Sequence, residues 1–126
     1  MSKLDMTMKM LGRKAERDKD VLAVIIFGSY ARGEKHRDID VCIVLKKELS
    51  NYLMSKKRLD YSSVSGLDIH IFQQLPLYIR VRVLKEGRVL LCKDIDMLYD
   101  LASLTVREFA YFRPRYKEYL KAVKHG

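Results

Sequence analysis

Two apolar runs enclose a short polar loop, and this arrangement constrains the fold more strongly than any other part of the 126-residue chain. The first run covers residues 21–27 and is apolar at every position, which is typical of a strand covered on both faces. Gly28-Ser29 follows it directly, and Asp38 and Asp40 stand at the entrance to the second run. Because side chains alternate along a strand, a strand over residues 38–45 would carry both aspartates on one face.

These residue types favour chemistry on phosphate groups. Two carboxylates side by side in a sheet repel each other unless a positive charge lies between them. Oxygen ligands held on a rigid strand suit Mg²⁺, which keeps waters and shares phosphate oxygens with its substrate. The Gly28-Ser29 turn can offer backbone N–H groups and a hydroxyl to a phosphate, and Arg32 and Lys35 can steady phosphate charge. The pattern indicates phosphoryl or nucleotidyl transfer.

A third aspartate, Asp68, lies on a separate predicted strand over residues 67–72. If that strand is the neighbour of 38–45, Asp68 faces the same cavity as Asp38 and Asp40, and three carboxylates favour a metal site over structural ion pairs. The third carboxylate could also take the proton from an attacking hydroxyl. The alternative is that the first two aspartates are loop-end carboxylates paired with nearby arginines. His70, on the same strand face as Asp68, either lines this cavity or is a satisfied, partly buried histidine.

A Walker-type phosphate loop is the main rival interpretation, and the residue types exclude it. Gly28 and Gly33 have the right separation, but Glu34 intervenes before Lys35 and His36 stands where serine or threonine is required.

The combined motif resembles the signature of a known family. Gly28-Ser29-x-Ala31-Arg32-Gly33-Glu34 followed by Asp38-x-Asp40 is similar to the minimal nucleotidyltransferases (MNT), which belong to the DNA polymerase β-type nucleotidyltransferase superfamily. The resemblance covers about residues 20–92. It implies that Gly28 and Ser29 bind a nucleoside triphosphate and that Asp38, Asp40 and Asp68 bind metal. Mg²⁺ and ATP are the implied cofactors, and a nucleoside monophosphate would pass to a hydroxyl with release of pyrophosphate.

The same resemblance implies a partner. Minimal members are typically encoded beside a HEPN-domain protein, and the pair resembles a toxin–antitoxin system in which the antitoxin attaches AMP to a toxin tyrosine. Two alternatives stay open: a non-catalytic antitoxin or assembly module that only binds the HEPN protein, and an RNA-directed nucleotidyltransferase. A homo-oligomer is also open. One departure from the family is that the loop between Gly28-Ser29 and Asp38 is shorter than in many members.

Composition narrows the class of protein only slightly. The formal net charge of +9 favours polyanionic partners such as a nucleotide, RNA or an acidic protein. No apolar run reaches membrane-spanning length, so no membrane partner is expected. Cys42 and Cys92 lack zinc-ligand spacing and lie within apolar runs, and a cytoplasmic location is the expectation.

The periodicities predict one α/β (α+β) domain with a small mixed sheet of about four strands flanked by helices. The catalytic core would span about residues 20–92, and a helical extension would span about 94–124, interrupted or kinked at Pro114. The predicted helices are 3–19, 48–60 and 76–86 with a short turn at 29–33; the predicted strands are 21–27, 38–45, 67–72 and 88–92; and 62–66 is predicted to be a loop. Six aromatic residues crowd the extension, and they would pack either on the chain's own sheet or in a protein interface. They are Tyr99, Phe109, Tyr111, Phe112, Tyr116 and Tyr119.

Overall fold

The structure, a computed structural model, describes residues 2–33 and 38–125. Helices and strands alternate along the chain, which confirms the predicted α/β class. In chain order they are α1 (Lys3–Arg17), β1 (Val21–Phe27), α2 (Gly28–Ala31), β2 (Asp40–Leu45), α3 (Asn51–Ser65), β3 (Asp68–Ile71), α4 (Leu77–Glu86), β4 (Arg88–Cys92) and α5 (Ile95–His125).

One mixed sheet with the strand order β3-β2-β1-β4 forms the centre of the fold. Strand β1 is antiparallel to both of its neighbours, whereas β2 and β3 are parallel and are joined by the crossover helix α3. All seven residues of β1 are buried, as its uninterrupted apolar sequence predicted. The second and third strands are neighbours, which is the condition on which the grouping of Asp68 with the other aspartates depended.

Helices cover both faces of this sheet. Leu11 and Ala15 of α1 and Met54 and Tyr61 of α3 pack against one face. Val83 of α4 and Leu98 of α5 are buried against the other face. The ends of β2 and β3 that carry the aspartates are therefore held by a core that is buried on both sides.

A half-buried carboxylate, Asp18, joins α1 to α3. The ammonium group of Lys57 lies 2.6 Å from Oδ2 of Asp18, and the Tyr61 hydroxyl donates to the same oxygen at 2.9 Å. The backbone N–H of Asp20 donates to Oδ1 at 3.1 Å. Burial by itself raises the pKa of Asp18, but these three hydrogen bonds and the Lys57 charge outweigh it, so the pKa is lowered from its ordinary value.

Several element boundaries differ from the sequence prediction, and three of these differences are larger or lie close to the aspartates. Strand β2 begins at Asp40 rather than at residue 38, because pairing with both neighbours starts there. Residues 62–65, predicted to be a loop, form the last turn of α3. Gly66, with φ +67°, follows this turn and ends the helix. Helix α5 continues through Pro114, so the predicted interruption is wrong, although proline still removes one backbone N–H from that turn.

Gly87, the residue that follows α4, is needed because it has no side chain. Gly87 follows α4 with an ordinary φ of −72°, so it does not adopt the left-handed conformation that a C-terminal glycine often supplies. A Cβ atom at this position would collide with the Val83 carbonyl and with the side chain of Ile25 in β1. The absence of a side chain is therefore what lets α4 turn directly into β4 beside the sheet.

Among residues 2–33 and 38–125, none of the helices combines the length and the apolar character that crossing a bilayer requires.

Candidate active site

Three strands bring their ends to one edge of the sheet. Phe27, the last residue of β1, is the register partner of Asp40, the first residue of β2. Asp40 is in turn the partner of Asp68, the first residue of β3. The two carboxylates are therefore neighbours on adjacent parallel strands.

An imidazole completes this group. Nε2 of His70 lies 3.3 Å from Oδ1 of Asp40 and 3.3 Å from Oδ2 of Asp68. The imidazole ring stands edge-on to Phe27 with 5.4 Å between ring centroids, which fixes its position beside the strands. One ligand atom from each of Asp40, Asp68 and His70 lies within 4.8 Å of the others. Two carboxylate oxygens and one imidazole nitrogen at this spacing are suitable donors for a divalent cation.

The glycine turn touches the same carboxylate. Gly28 has φ +76°, a backbone conformation that favours glycine, and it begins the short helix α2. A Cβ atom at Gly28 would collide with the carboxylate of Asp40. Glycine thus brings the backbone of the turn against the carboxylate, and a ligand held by one can reach the other.

The charges at this edge are only partly balanced. The pKa of Asp40 is raised, first because the carboxyl group is partly buried and second because the carboxylate of Asp68 lies beside it, while His70 acts in the opposite direction. Asp40 and His70 are half-buried, and Asp68 is exposed. A cation placed between the two carboxylates would relieve their repulsion.

The remaining predicted site residues lie around this centre. Asp38 is exposed at a bend before β2, and its carboxylate is not one of the grouped ligands, because regular pairing begins two residues later. Ser29 lies in α2. The guanidinium of Arg32 forms an ion pair with Glu86 of α4 at 3.3 Å. Lys35 falls in residues 34–37, outside the described residues.

The sequence left the role of His70 open, although it contained the relevant signal. Asp68 and His70 are two residues apart on one short strand, so alternation places both on the same face. Only the register of β3 against β2 shows that Asp40 also reaches the imidazole.

Comparison with known sequences identifies related proteins. Residues 9–96 match the family model described as polymerase beta, nucleotidyltransferase. A protein of Methanocaldococcus jannaschii, named provisionally as the protein adenylyltransferase MJ1547, is 33% identical over 79 residues. That match covers 61% of this chain and 61% of the relative, so the chain spans less than two thirds of the relative's length.

Solved structures share the fold over nearly the whole chain. A chain in a crystal structure of a toxin–antitoxin pair with AMP-PNP superposes with a TM-score of 0.71 at 18% identity, covering 98% of this chain and 99% of that one. A chain in the complex of a tri-AMPylated Shewanella oneidensis HEPN toxin with its MNT antitoxin superposes with a TM-score of 0.69 at 16% identity, covering 96% and 98%. At these identities the likeness establishes a common fold.

Proposed function

The chain belongs to the polymerase beta nucleotidyltransferase family, and from this premise we propose that it transfers AMP from ATP to a hydroxyl group and acts as the antitoxin of a HEPN toxin. The single observation that carries the proposal is the contact at the sheet edge, where the Gly28 turn meets Asp40 and Asp40 pairs with Asp68. A triphosphate held by the turn would present its phosphates to the carboxylate group.

The donor atoms at the edge fit Mg²⁺. Asp40 and Asp68 supply the oxygen ligands that Mg²⁺ prefers, and the raised pKa of Asp40 reflects burial and negative charge that a cation would compensate. Asp38 would add a further oxygen from the adjoining bend. The imidazole of His70 would orient the two carboxylates through its contacts with both. The bound cation would supply neutralisation of the triphosphate charge.

The transfer step follows from this placement. The acceptor oxygen forms a bond to the α-phosphorus of ATP, and the bond from that phosphorus to the oxygen bridging the α- and β-phosphates breaks, so pyrophosphate leaves. The acceptor proton passes to a carboxylate within reach. Asp68 suits this role because it is the more exposed of the two paired aspartates and can meet an acceptor arriving from solvent.

The acceptor we propose is a tyrosine hydroxyl of a HEPN-domain toxin. Two observations support this assignment: the related M. jannaschii protein is named for protein adenylylation, and a structure of similar fold is an MNT antitoxin bound to a tri-AMPylated HEPN toxin. A second candidate, an antitoxin that works by binding alone, is favoured by the exposed aromatic residues of α5, Tyr99, Tyr111 and Phe112.

A labelling experiment tests the proposal. The chain is incubated with ATP labelled at the α-phosphate, Mg²⁺ and a HEPN-domain protein from the same genome, with total RNA as a parallel acceptor. We expect label on a tyrosine of the HEPN protein and a loss of at least about 100-fold in Asp40→Asn and Asp68→Asn. Asp100→Asn is the matched control, since Asp100 is exposed on α5 and is not one of the grouped ligands.

The outcomes separate the candidates. Label on RNA alone would replace the protein acceptor with a nucleic acid. Absence of label together with full neutralisation of the toxin by Asp40→Asn would establish the binding antitoxin instead. Equal labelling by the wild type and Asp40→Asn would refute the assignment of the catalytic centre.

A further inference from the structure

Helix α5 carries one heptad pattern along almost its whole length. Its repeating positions are separated by alternating steps of four and three residues, the spacing of a seam that packs against another helix. They are Leu98, Ala102, Thr105, Phe109, Phe112, Tyr116, Tyr119 and Val123.

The first part of this pattern, from Leu98 to Thr105, packs within the domain. Leu98 is buried with Val83 of α4, and Ala102 lines the same groove. Thr105 is buried as well, and its hydroxyl donates to the Leu101 carbonyl at 2.7 Å, so its polar atom is satisfied. Up to residue 105, the seam positions are therefore the side of α5 that faces the domain, as the heptad spacing predicts.

The second part continues past the domain. We call Phe109, Phe112, Tyr116, Tyr119 and Val123 the distal stripe. Among the side chains described between residues 106 and 123, all are exposed except Phe109, which is half-buried; those of Tyr116 and Tyr119 lie outside the description. Phe112 and Val123 are 43% and 64% exposed. Residues 106–125 would extend for about 30 Å, enough for nearly three heptads of contact.

Proline does not interrupt this surface. Pro114 lies between two stripe positions in sequence, which places it on the opposite side of the helix. The backbone carbonyl that loses its N–H donor to proline lies near that side and can be hydrated. The seam itself is continuous.

Charge selects the kind of helix that would cover the stripe. Between residues 106 and 123 the sequence has five basic and two acidic side chains; Arg113 and Arg115 flank the stripe on its two sides, and Glu108 lies on the same side as Arg115. A second copy of this helix would bring two predominantly basic segments together, in a chain whose net charge is already +9. An apolar seam flanked by glutamate or aspartate would be complementary.

We propose that the distal stripe is the docking surface for an acid-flanked amphipathic helix of a partner protein. The apolar side chains provide the contact area, and Arg113 and Arg115 select the partner by charge. This inference does not rest on the proposed nucleotidyl transfer, because neither the stripe nor its flanks belong to the carboxylate edge.

Two synthetic helices of three heptads test the proposal. Both have leucine at the seam positions; one has glutamate and the other lysine at all flanking positions. Binding to the full chain is followed by fluorescence anisotropy. We expect the glutamate peptide to bind at least about tenfold more tightly than the lysine peptide and to weaken as salt rises. Arg113→Glu combined with Arg115→Glu should invert that preference.

Two exposed apolar residues of α5 provide a matched pair of variants. Phe112→Glu, on the stripe, should weaken binding of the glutamate peptide about tenfold or more. Leu104→Glu, on a different face of the helix and 48% exposed, should change it less than about twofold. Asp40→Asn should leave peptide binding unchanged even if it abolishes nucleotidyl transfer.

Three results would overturn the inference. One is equal binding of the two peptides, and another is equal loss in Phe112→Glu and Leu104→Glu. The third is a concentration-dependent dimer, seen by sedimentation equilibrium and abolished by Phe112→Glu, which would make a second copy of the chain the occupant. Thermal melts of each variant distinguish lost binding from lost folding.

Discussion

Replacing Asp40 by asparagine should stabilise the protein in the absence of metal and destabilise it, relative to the wild type, in its presence. Asp40 and Asp68 are register partners on adjacent strands, so two negative charges face each other when both are ionised. Asparagine is nearly the same size and keeps an oxygen that can accept a hydrogen bond from His70. The substitution therefore removes charge and leaves the packing of the sheet edge unchanged.

The structure sets the size of the effect. A like-charged pair directly opposite in a sheet costs up to about 1 kcal/mol. The exposure of Asp68, at 51% of its side chain, and the nearby His70 reduce this cost. We expect the free energy of unfolding to rise by about 0.3–1 kcal/mol, which for a chain of this size raises the melting temperature by about 1–5 °C.

Adding Mg²⁺ should make the wild type more stable than Asp40→Asn, the reverse of the order expected without metal. A cation that binds the folded wild type at ten times its dissociation constant adds about 1.4 kcal/mol of stability. The asparagine variant lacks one charged ligand and should gain much less. The assay is a set of thermal melts at pH 7 in a chelator and in increasing Mg²⁺, with Asp100→Asn as the variant that carries the same charge change.

Either of two results would refute this reasoning. If Asp40→Asn melts below the wild type in the chelator and Mg²⁺ raises both melting temperatures equally, the two carboxylates are neither in repulsion nor a metal site. A gain in Asp100→Asn as large as that in Asp40→Asn would assign the effect to net charge alone.

Three further predictions concern other parts of the chain. Lys57→Met should cost about 1–3 kcal/mol of unfolding free energy at pH 7, because Asp18 loses its charged partner. Since the pKa of Asp18 is lowered in the folded state, its stabilising effect is present above about pH 4 and is lost as the pH falls through the lowered folded-state pKa, so urea titrations of the two proteins should converge in acid. His70→Ala should weaken Mn²⁺ binding about tenfold, measured by electron paramagnetic resonance of the free ion; unchanged affinity would exclude an orienting role for the imidazole. Gly87→Ala should lower the free energy of unfolding in urea by about 1–3 kcal/mol, because the new methyl group would collide with the Val83 carbonyl and with Ile25. Gly12→Ala is the control: its added methyl group meets nothing within 4 Å, so it should stabilise α1 by about 0.5–1 kcal/mol.

The strands could be predicted because they depend on local alternation and on apolar runs, whereas the pairing of Asp40 with Asp68 could be stated only on the condition that their strands are neighbours. The seven apolar residues of β1 favour a strand covered on both faces, Asp40 begins its neighbour β2, and Asp68 begins β3 on the far side of β2. Asp38 could not be placed, because the alternation that grouped it with Asp40 applies only where the strand is paired.

The hydrogen-bond and ion-pair partners that are distant in sequence could not be predicted, for a different reason. Asp18 and Lys57 are 39 residues apart, and nothing in either segment specifies the other. Arg80 of α4 likewise donates to the carbonyl oxygens of Gln73 and Leu75 at 3.0 and 2.8 Å, and nothing in the sequence around it specifies these acceptors. The continuation of α5 through Pro114 is also a tertiary matter, since proline lowers the local preference for helix.

The contact between the Gly28 turn and Asp40 makes the two positions epistatic. A methyl group at position 28 is excluded by the carboxylate as well as by the backbone angle, so Gly28→Ala should harm the wild type more than it harms a chain that already carries Asp40→Ala. The difference between the two losses of stability measures the steric cost of the collision with the carboxylate. The loss that remains in the Asp40→Ala background measures the cost of the backbone angle, which any nucleotide-binding turn with this angle would share. A sequence that loses the carboxylate is thereby released from the steric part of the constraint on its glycine, so the two residues are expected to be lost together when a lineage abandons catalysis.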